Sequence, residues 1–262
     1  MSQPTITAIL NAHREGMLAK SSIASLVRSI AHAEQSGFAV EVLVILDRSE
    51  TVTRQVISDH SSYQFRIVET DFGDPARARN YAISQAKGKY VAFLDADDLW
   101  GVNWLTQATL AAQSRHDAVI WHPEVCVYFG SAHHIFVHLD MEEPDFCPSG
   151  LMIENYWTAL SFGAREVYLQ NSYPETDLKA GFGYEDWAWN MLTISRGVKH
   201  KIVSGTGHAI RRREQSVSRD TLSVQAVPRP NPYLVAYLQS KQNRPPPISE
   251  APLDMELADD LS

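Results

Sequence analysis

Short continuous apolar runs alternate with stretches in which apolar residues recur every three or four positions. Ile6, Ala8, Ile9 and Leu10 form the first run; residues 40–46 (broken by Glu41), 65–68 and 90–94 form three more. Runs of this length predict buried strands and are too short for helices. Between them, Ile23, Leu26, Val27 and Ile30 share a helical face that stops at Gly37. Val52 and Ile57 belong to a second helix, and Arg77, Arg79, Asn80, Ala82, Ile83 and Ala86 to a third, closed by Gly88. Strand–helix alternation repeated four times predicts a doubly wound α/β sheet with right-handed crossovers.

Past a helix at 104–112 the alternation stops. Residues 118–122, 125–129 and 135–139 read as strands, 144–150 as a loop, and 154–172, with Trp157, Phe162 and Tyr168, as a helix-rich segment lining a pocket. A helix with Trp187, Met191 and Ile194 on one face ends at Gly197. A strand follows at 198–203, and 208–213 is either another strand or a basic loop. From Pro228 onward, six further prolines and few large apolar residues mark a linker or tail, with room for a short helix at 233–240. The expected organisation is one domain over 1–227 and a proline-rich acidic tail over 228–262.

Composition adds exclusions. With 44% hydrophobic and 21% charged residues the chain can build an ordinary globular core. From Arg244 to the end there are one arginine and five acids, Glu250, Asp254, Glu256, Asp259 and Asp260, so half of the net charge of −8 lies in that stretch. Without a basic face, no nucleic-acid partner is expected. Cys126 and Cys147 make neither a disulfide framework nor a metal-ligand spacing. The N-terminus runs straight into a strand, so no signal peptide is expected, and no 18-residue apolar run predicts a membrane span. The expected location is the cytoplasm.

The chemistry concentrates in FLDADDLW, residues 93–100. Asp95, Asp97 and Asp98 follow a buried strand, and the carboxyl ends of strands are where open α/β sheets build ligand sites. Alternation along an extended chain points Asp95 and Asp97 to the same side, so they can converge on one cation or one polar ligand. Adjacent anions repel, and a hard cation such as Mg²⁺ or Mn²⁺ would relieve that. Capping the next helix would need one aspartate, not three. The loop after the first strand, Asn11, Ala12, His13, Arg14, Glu15 and Gly16, is equally readable as a solvated turn or a binding loop, and Asp47 after the second strand as a cap or a contact. A second acidic signal, Gly181-Phe182-Gly183-Tyr184-Glu185-Asp186-Trp187, opens a helix whose dipole favours acids in its first turn. The same dipole and nearby arginines predict an ionised Asp186. Arg211, Arg212 and Arg213 are either a solvated face or a diphosphate clamp. His122, His133, His134 and His138 lack partners at metal-ligand spacing and read as ordinary strand and loop residues. A GxGxxG turn and a P-loop are both absent, so phosphates would be held by metal and arginines.

These landmarks, in order, resemble the inverting glycosyltransferases of family 2. They are Asp47, Ala78-Arg79-Asn80, Gly88-Lys89-Tyr90, Asp95-Ala96-Asp97-Asp98-Leu99-Trp100 and Glu185-Asp186, covering residues 5 to 218. The resemblance implies a GT-A fold, a Rossmann-like doubly wound mixed sheet with an acceptor-side subregion. It implies a DxD motif in which Asp95 contacts the nucleotide ribose and Asp97 holds a divalent metal, Mn²⁺ or Mg²⁺, on the diphosphate. The counterpart of Asp47 meets the base, usually uracil, so a UDP-sugar is the expected donor. The donor set is then Asn11, His13, Glu15, Asp47, Arg79, Asp95, Ala96 and Asp97, with His13 where many members carry a tyrosine. His208 is the candidate further metal ligand, Asp186 the general base, and Glu185 and Trp187 the acceptor contacts. The chain lacks the membrane spans and QxxRW motif of processive synthases. The expected activity is therefore a single hexosyl transfer to a glycan or lipid-linked acceptor, in surface-polysaccharide assembly at the inner face of the membrane. The alternatives are a catalytically inactive sugar-nucleotide binding module, against which intact Asp97 and Asp186 weigh, and a sugar nucleotidyltransferase, whose Gly-rich basic first loop is missing.

Overall fold

The computed structural model describes residues 3–60, 64–213 and 217–242. Its first half follows the predicted alternation: β1 (Ile6–Ala12), α1 (Ala19–Gln35), β2 (Val40–Asp47), α2 (Thr51–Asp59), β3 (Phe65–Thr70), α3 (Pro75–Gln85) and β4 (Tyr90–Asp95). A two-residue strand β5 (Leu99–Trp100) and α4 (Trp104–Gln113) lead into β6 (Val119–Gly130), β7 (His134–Val137), β8 (Phe162–Ala164) and α5 (Arg165–Gln170). The chain continues through β9 (Phe182–Gly183), α6 (Glu185–Ser195), β10 (Lys199–Arg212), α7 (Val217–Ser223), β11 (Val227–Pro228) and α8 (Pro232–Gln242).

Among the described residues nine strands form one mixed sheet in the order β3-β2-β1-β4-β8-β6-β10-β5, with β7 paired to β6. The first four strands are parallel, and β8 joins antiparallel between β4 and β6. Alternate residues of β1 feed opposite faces, as the two-residue period of a strand requires. Ile6, Ala8 and Leu10 pack with Ile23, Leu26 and Ile30 of α1, whereas Ile9 packs with Ala76, Ala82 and Ile83 of α3. Both faces are thus covered by helices, and the near-continuous apolar strands are what such burial demands.

Three expectations are corrected. The strands expected at 118–122 and 125–129 are one strand, β6, that runs through Pro123. Proline has no N–H for the ladder, and its neighbour β10 shifts register between Val203 and Gly207, beside the pair Val203–Pro123. By the same route 198–203 and 208–213 merge into β10, so the arginine run lies on a strand end. The helix-rich segment expected at 154–172 is mostly irregular, with a three-residue strand and the six-residue α5 at its end. Its aromatic residues Trp157, Phe162 and Tyr168 are nevertheless buried.

Buried histidines fill part of the second half. His122 Nε2 lies 2.9 Å from His200 Nδ1, and His200 Nε2 lies 2.8 Å from Thr193 Oγ1. His138 Nδ1 donates to the Pro123 carbonyl at 2.6 Å. Burial pushes all three rings below the ordinary histidine range, His138 to about 4 and His200 to about 3.

Residues 227–242 lie on the body of the domain. β11 pairs with β9, and Tyr233 and Leu234 of α8 pack on the cluster of Leu151, Trp157 and Met191 beneath α6. The Tyr233 hydroxyl donates to the Pro148 carbonyl at 2.6 Å. The remainder of the expected tail, 243–262, lies outside the described residues.

Candidate active site

The carboxyl ends of β1, β2 and β4 are brought level by register: Asn11 pairs with Asp95, and Ala12 with Leu46. Past this edge opens a cleft of about 690 Å³. Asp95, Asp97 and Asp98 all face it, while Ala96 is fully buried with its methyl in the core. Asp95 and Asp97 thus share a side as expected, but through a turn after β4, closed by the Asp98 N–H on the Asp95 carbonyl at 3.0 Å, rather than by strand alternation; Ala96, expected in the donor set, is not brought to the cleft.

Each carboxylate has its own surroundings. Asp97 pairs with Arg213 at 2.7 Å, and Arg211 Nε donates to the Asp97 carbonyl at 3.2 Å. Burial raises the Asp97 carboxyl above its usual range, and Arg213 offsets this in part. Asp98 accepts the Arg211 backbone N–H at 2.7 Å and so ties the strand end to β10. Burial, then the charges of Asp97 and Asp95, hold its carboxyl well above the usual range.

Arg79 spans the cleft floor. Asp74 caps α3 by accepting the Arg77 N–H at 2.8 Å, with Pro75 opening the helix. From there the Arg79 guanidinium, 4% exposed, donates to Glu185 Oε1 at 2.5 Å and to Asp95 Oδ2 at 3.3 Å. Burial alone would loosen its proton, but Asp95 and Glu185 hold it more firmly than in a free arginine.

The β1 and β2 loops build one wall. Both oxygens of Asp47 accept backbone N–H groups of the next loop, from Phe72 at 2.7 Å and Gly73 at 2.8 Å. The Asp47 carbonyl meets His13 Nδ1 at 2.5 Å. Glu15 accepts the His13 N–H at 2.6 Å and lies 3.7 Å from Arg213; burial raises its carboxyl. Asn11 Oδ1 is buried at the cleft edge and has no hydrogen-bond partner among the described residues.

The opposite wall is the start of α6. Tyr184 precedes it in the left-handed region, φ 53°, a strained conformation worth about 1–3 kcal/mol that recurs at functional sites. Asp186 accepts Asn155 Nδ2 at 3.2 Å, and Asn155 Oδ1 accepts Asn190 Nδ2 at 2.9 Å. Burial and the neighbouring Glu185 raise the Asp186 carboxyl to about 7, with Arg79 pulling the other way. This corrects the expectation of a fully ionised Asp186: the helix dipole and arginines lose to desolvation. Trp187 is fixed by its Nε1–H on the Leu151 carbonyl at 2.7 Å.

Asn11, His13, Glu15, Asp47, Arg79, Asp95, Asp97, Glu185, Asp186 and Trp187 thus line one cleft. His208 does not. It packs edge-on to Trp104 with ring centroids 4.6 Å apart, and neither ring nitrogen has a partner among the described residues. Burial keeps the ring neutral, well below the ordinary range. Among the described residues no three His, Cys, Asp or Glu side chains converge as a metal-holding group. Asp95 and Asp97 face the same cleft as a pair of hard oxygen donors, the ligand type that Mg²⁺ and Mn²⁺ take. Asn155 and Asn190 gave no signal in the sequence, because Asn155 sits in an irregular segment without a period.

A family model described as glycosyl transferase family 2 matches residues 7–148. The chain belongs to glycosyl transferase family 2. Within the family, it is 30% identical over 101 residues to the poly(ribitol-phosphate) β-N-acetylglucosaminyltransferase TarS of Staphylococcus aureus, covering 37% of this chain and 18% of that protein. It is 36% identical over 66 residues to the UDP-Glc:α-D-GlcNAc-diphosphoundecaprenol β-1,3-glucosyltransferase WfgD of Escherichia coli, covering 25% of this chain and 26% of that protein. These matches therefore span about a fifth to a quarter of the curated relatives' length. The crystal structure of TarS 1–349 with UDP-GlcNAc superposes with a TM-score of 0.61 at 18% identity, over 84% of this chain and 64% of that one. The mannosyltransferase PcManGT of Pyrobaculum calidifontis, in complex with GDP-Man and Mn²⁺, gives 0.58 at 14% identity over 84% and 60%. The fold is GT-A. The family match holds Asp47, Arg79, Asp95 and Asp97 and ends before α6, so Glu185 and Asp186 join the site through the fold.

Proposed function

We infer that this family 2 member transfers a sugar from a nucleotide-sugar donor to a hydroxyl of a glycan or lipid-linked acceptor, with inversion at the anomeric carbon. One observation carries the reading: a single cleft holds strand-end carboxylates on one side and, on the other, the Asp186 carboxyl with a pKa of about 7, while Arg79 ties Asp95 to Glu185 beside it. The nucleoside lies over Asn11, His13 and Asp47, and the diphosphate lies at the end of β4. Breaking a sugar–phosphate bond builds negative charge on the leaving diphosphate and oxocarbenium character on the sugar. Arg211 and Arg213, already seated around Asp97, can turn to that charge.

Asp95 and Asp97 are the residues that would hold a divalent cation, Mn²⁺ or Mg²⁺. Their fit rests on placement and donor chemistry: two carboxylates of the β4 end face one cleft, and hard oxygen donors are what such an ion takes. Such an ion supplies Lewis-acid stabilisation of the leaving diphosphate. The Mn²⁺ complex of PcManGT supports the same choice. Across the cleft, the Asp186 anion accepts the hydroxyl proton as the acceptor oxygen attacks opposite the leaving group, a contribution of about 10²–10⁴ in rate. Trp187 offers the acceptor a fixed ring wall, and Glu185 holds Arg79 in place.

A UDP-sugar is the donor the TarS–UDP-GlcNAc complex favours, and the poly(ribitol-phosphate) and diphosphoundecaprenol acceptors of TarS and WfgD favour a polymer or a lipid-linked precursor as acceptor. Incubation with a panel of sugar nucleotides, with Mn²⁺ or EDTA, tests the reading. Release of nucleoside diphosphate from one donor, dependent on the ion and accelerated by acceptor, is expected. Binding without turnover of any donor and acceptor would overturn it in favour of a binding module.

A further inference from the structure

We propose that Asn155 is the positioning residue for Asp186, and that Asn190 locks it in the orientation this role requires. The inference rests on the reading of Asp186 as the base. A carboxylate has two equivalent oxygens, and a base needs one of them held so that the other meets the acceptor. Asn155 Nδ2 holds Asp186 Oδ2 at 3.2 Å, which assigns the acceptor proton to Oδ1.

A carboxamide can present either end. Turned over, Asn155 would aim its oxygen at the carboxylate, and two acceptors would repel each other. Asn190 decides between the two. It lies one turn along α6 from Asp186, is 2% exposed, and donates its Nδ2–H to Asn155 Oδ1 at 2.9 Å. With its oxygen engaged, Asn155 has its NH₂ end left for Asp186. A donor aimed at a carboxylate favours the anion, so this pair works against the burial and the Glu185 charge that disfavour it. The other charged or titratable groups facing Asp186 are Arg79 from α3, Tyr128 from β6 and Tyr173 from the loop after α5. Substituting Asn155 alters none of them directly.

The test is the pH profile of kcat in the full-length protein, with the ion and donor saturating. Asn155→Ala should move the midpoint up by about one pH unit, the size of one lost charge-assisted hydrogen bond. Turnover then falls about fivefold at pH 7 and returns near the wild-type level by about pH 9. Donor KM should not change, because the donor lies on the far side of Arg79. Asn190→Leu, which leaves Asn155 free to turn over, should give a smaller shift in the same direction. If that variant does not fold, Asn155→Ser, a change in a half-buried loop position, takes its place and should shift less than Asn155→Ala. A loss that is uniform with pH, with an unmoved midpoint in Asn155→Ala, would overturn the proposal and leave Asn155 a packing residue. Asp186→Asn separates the two levels. If it turns over like the wild type, the base reading and this inference both fall. If it is inactive while Asn155→Ala keeps the wild-type midpoint, the positioning role alone falls.

Discussion

Asp186→Asn should make the protein more stable and less active, and the stability gain should depend on pH. Burial and Glu185 raise the Asp186 carboxyl to about 7, against about 3.9 in an unfolded chain. A carboxyl whose folded pKa is raised favours the fold while protonated. Its contribution is full below about pH 4 and is lost as pH rises to about 7. The whole shift corresponds to about 4 kcal/mol, reduced to about 1–3 kcal/mol because the carboxylate faces an open cleft rather than a closed core. Asparagine has no charge to bury and keeps an oxygen for Asn155. The variant should therefore melt about 2–12 °C above the wild type at pH 8, and the gap should narrow at pH 6. Transfer at saturating acceptor should fall by about 10²–10⁴. Thermal melts at the two pH values, paired with product formation, read both effects. Equal melting at pH 8 would refute the claim that burial dominates at this carboxylate. Wild-type turnover would refute the base assignment and move attention to Glu185.

Asp97→Ala should abolish transfer and weaken nucleoside diphosphate binding measured by calorimetry with Mn²⁺; unchanged wild-type turnover in excess EDTA would rule out the metal-assisted reading. Arg79→Met strands two carboxylates at the cleft floor and should cost about 3–5 kcal/mol, lowering Tm by about 6–20 °C. Arg79→Lys should recover part of this, since one ammonium cannot reach both Asp95 and Glu185 as a fork does. Tyr233→Ala should cost about 1–2 kcal/mol in urea denaturation through lost ring burial and the bond to Pro148; no change would mean that α8 does not stay docked on α6.

Much of this site was legible before the fold was known, for a specific reason. Asp95, Ala96 and Asp97 sit where a buried strand gives way to a turn at the carboxyl edge of the sheet, and an apolar run followed at once by acids marks that place in sequence. The helix start at Glu185-Asp186 was visible from its glycines and acids. Interactions between distant segments were not visible. The Asp186 charge state depends on how deeply α6 sits and on Glu185 beside it, and a helix dipole read from sequence points the wrong way. Asn155 lies in a stretch whose aromatic residues suggested a helix, yet they are held by packing rather than by a repeat. β8 has three residues, too few to show any period, and inserts between β4 and β6 by long-range pairing. His208 was a candidate ligand only through the resemblance, by its place near the end of the domain; its position opposite Trp100 in the β10–β5 register turns it into the core.

The buried histidines set a limit on the acid side. His122, His138, His200 and His208 refuse protons in the folded core that an unfolded chain accepts from about pH 6.5 downward. For groups depressed in this way stability rises with pH, and on acidification each forfeits about 1.4 kcal/mol per pH unit until its own folded pKa is reached. Together they act against what protonating Asp186 returns on the same acidification. Loss of turnover below about pH 6 would then report the core coming apart, not the chemistry. The ionisation of Asp186 is therefore read most cleanly between about pH 6 and pH 9, where these rings are neutral in folded and largely so in unfolded chains.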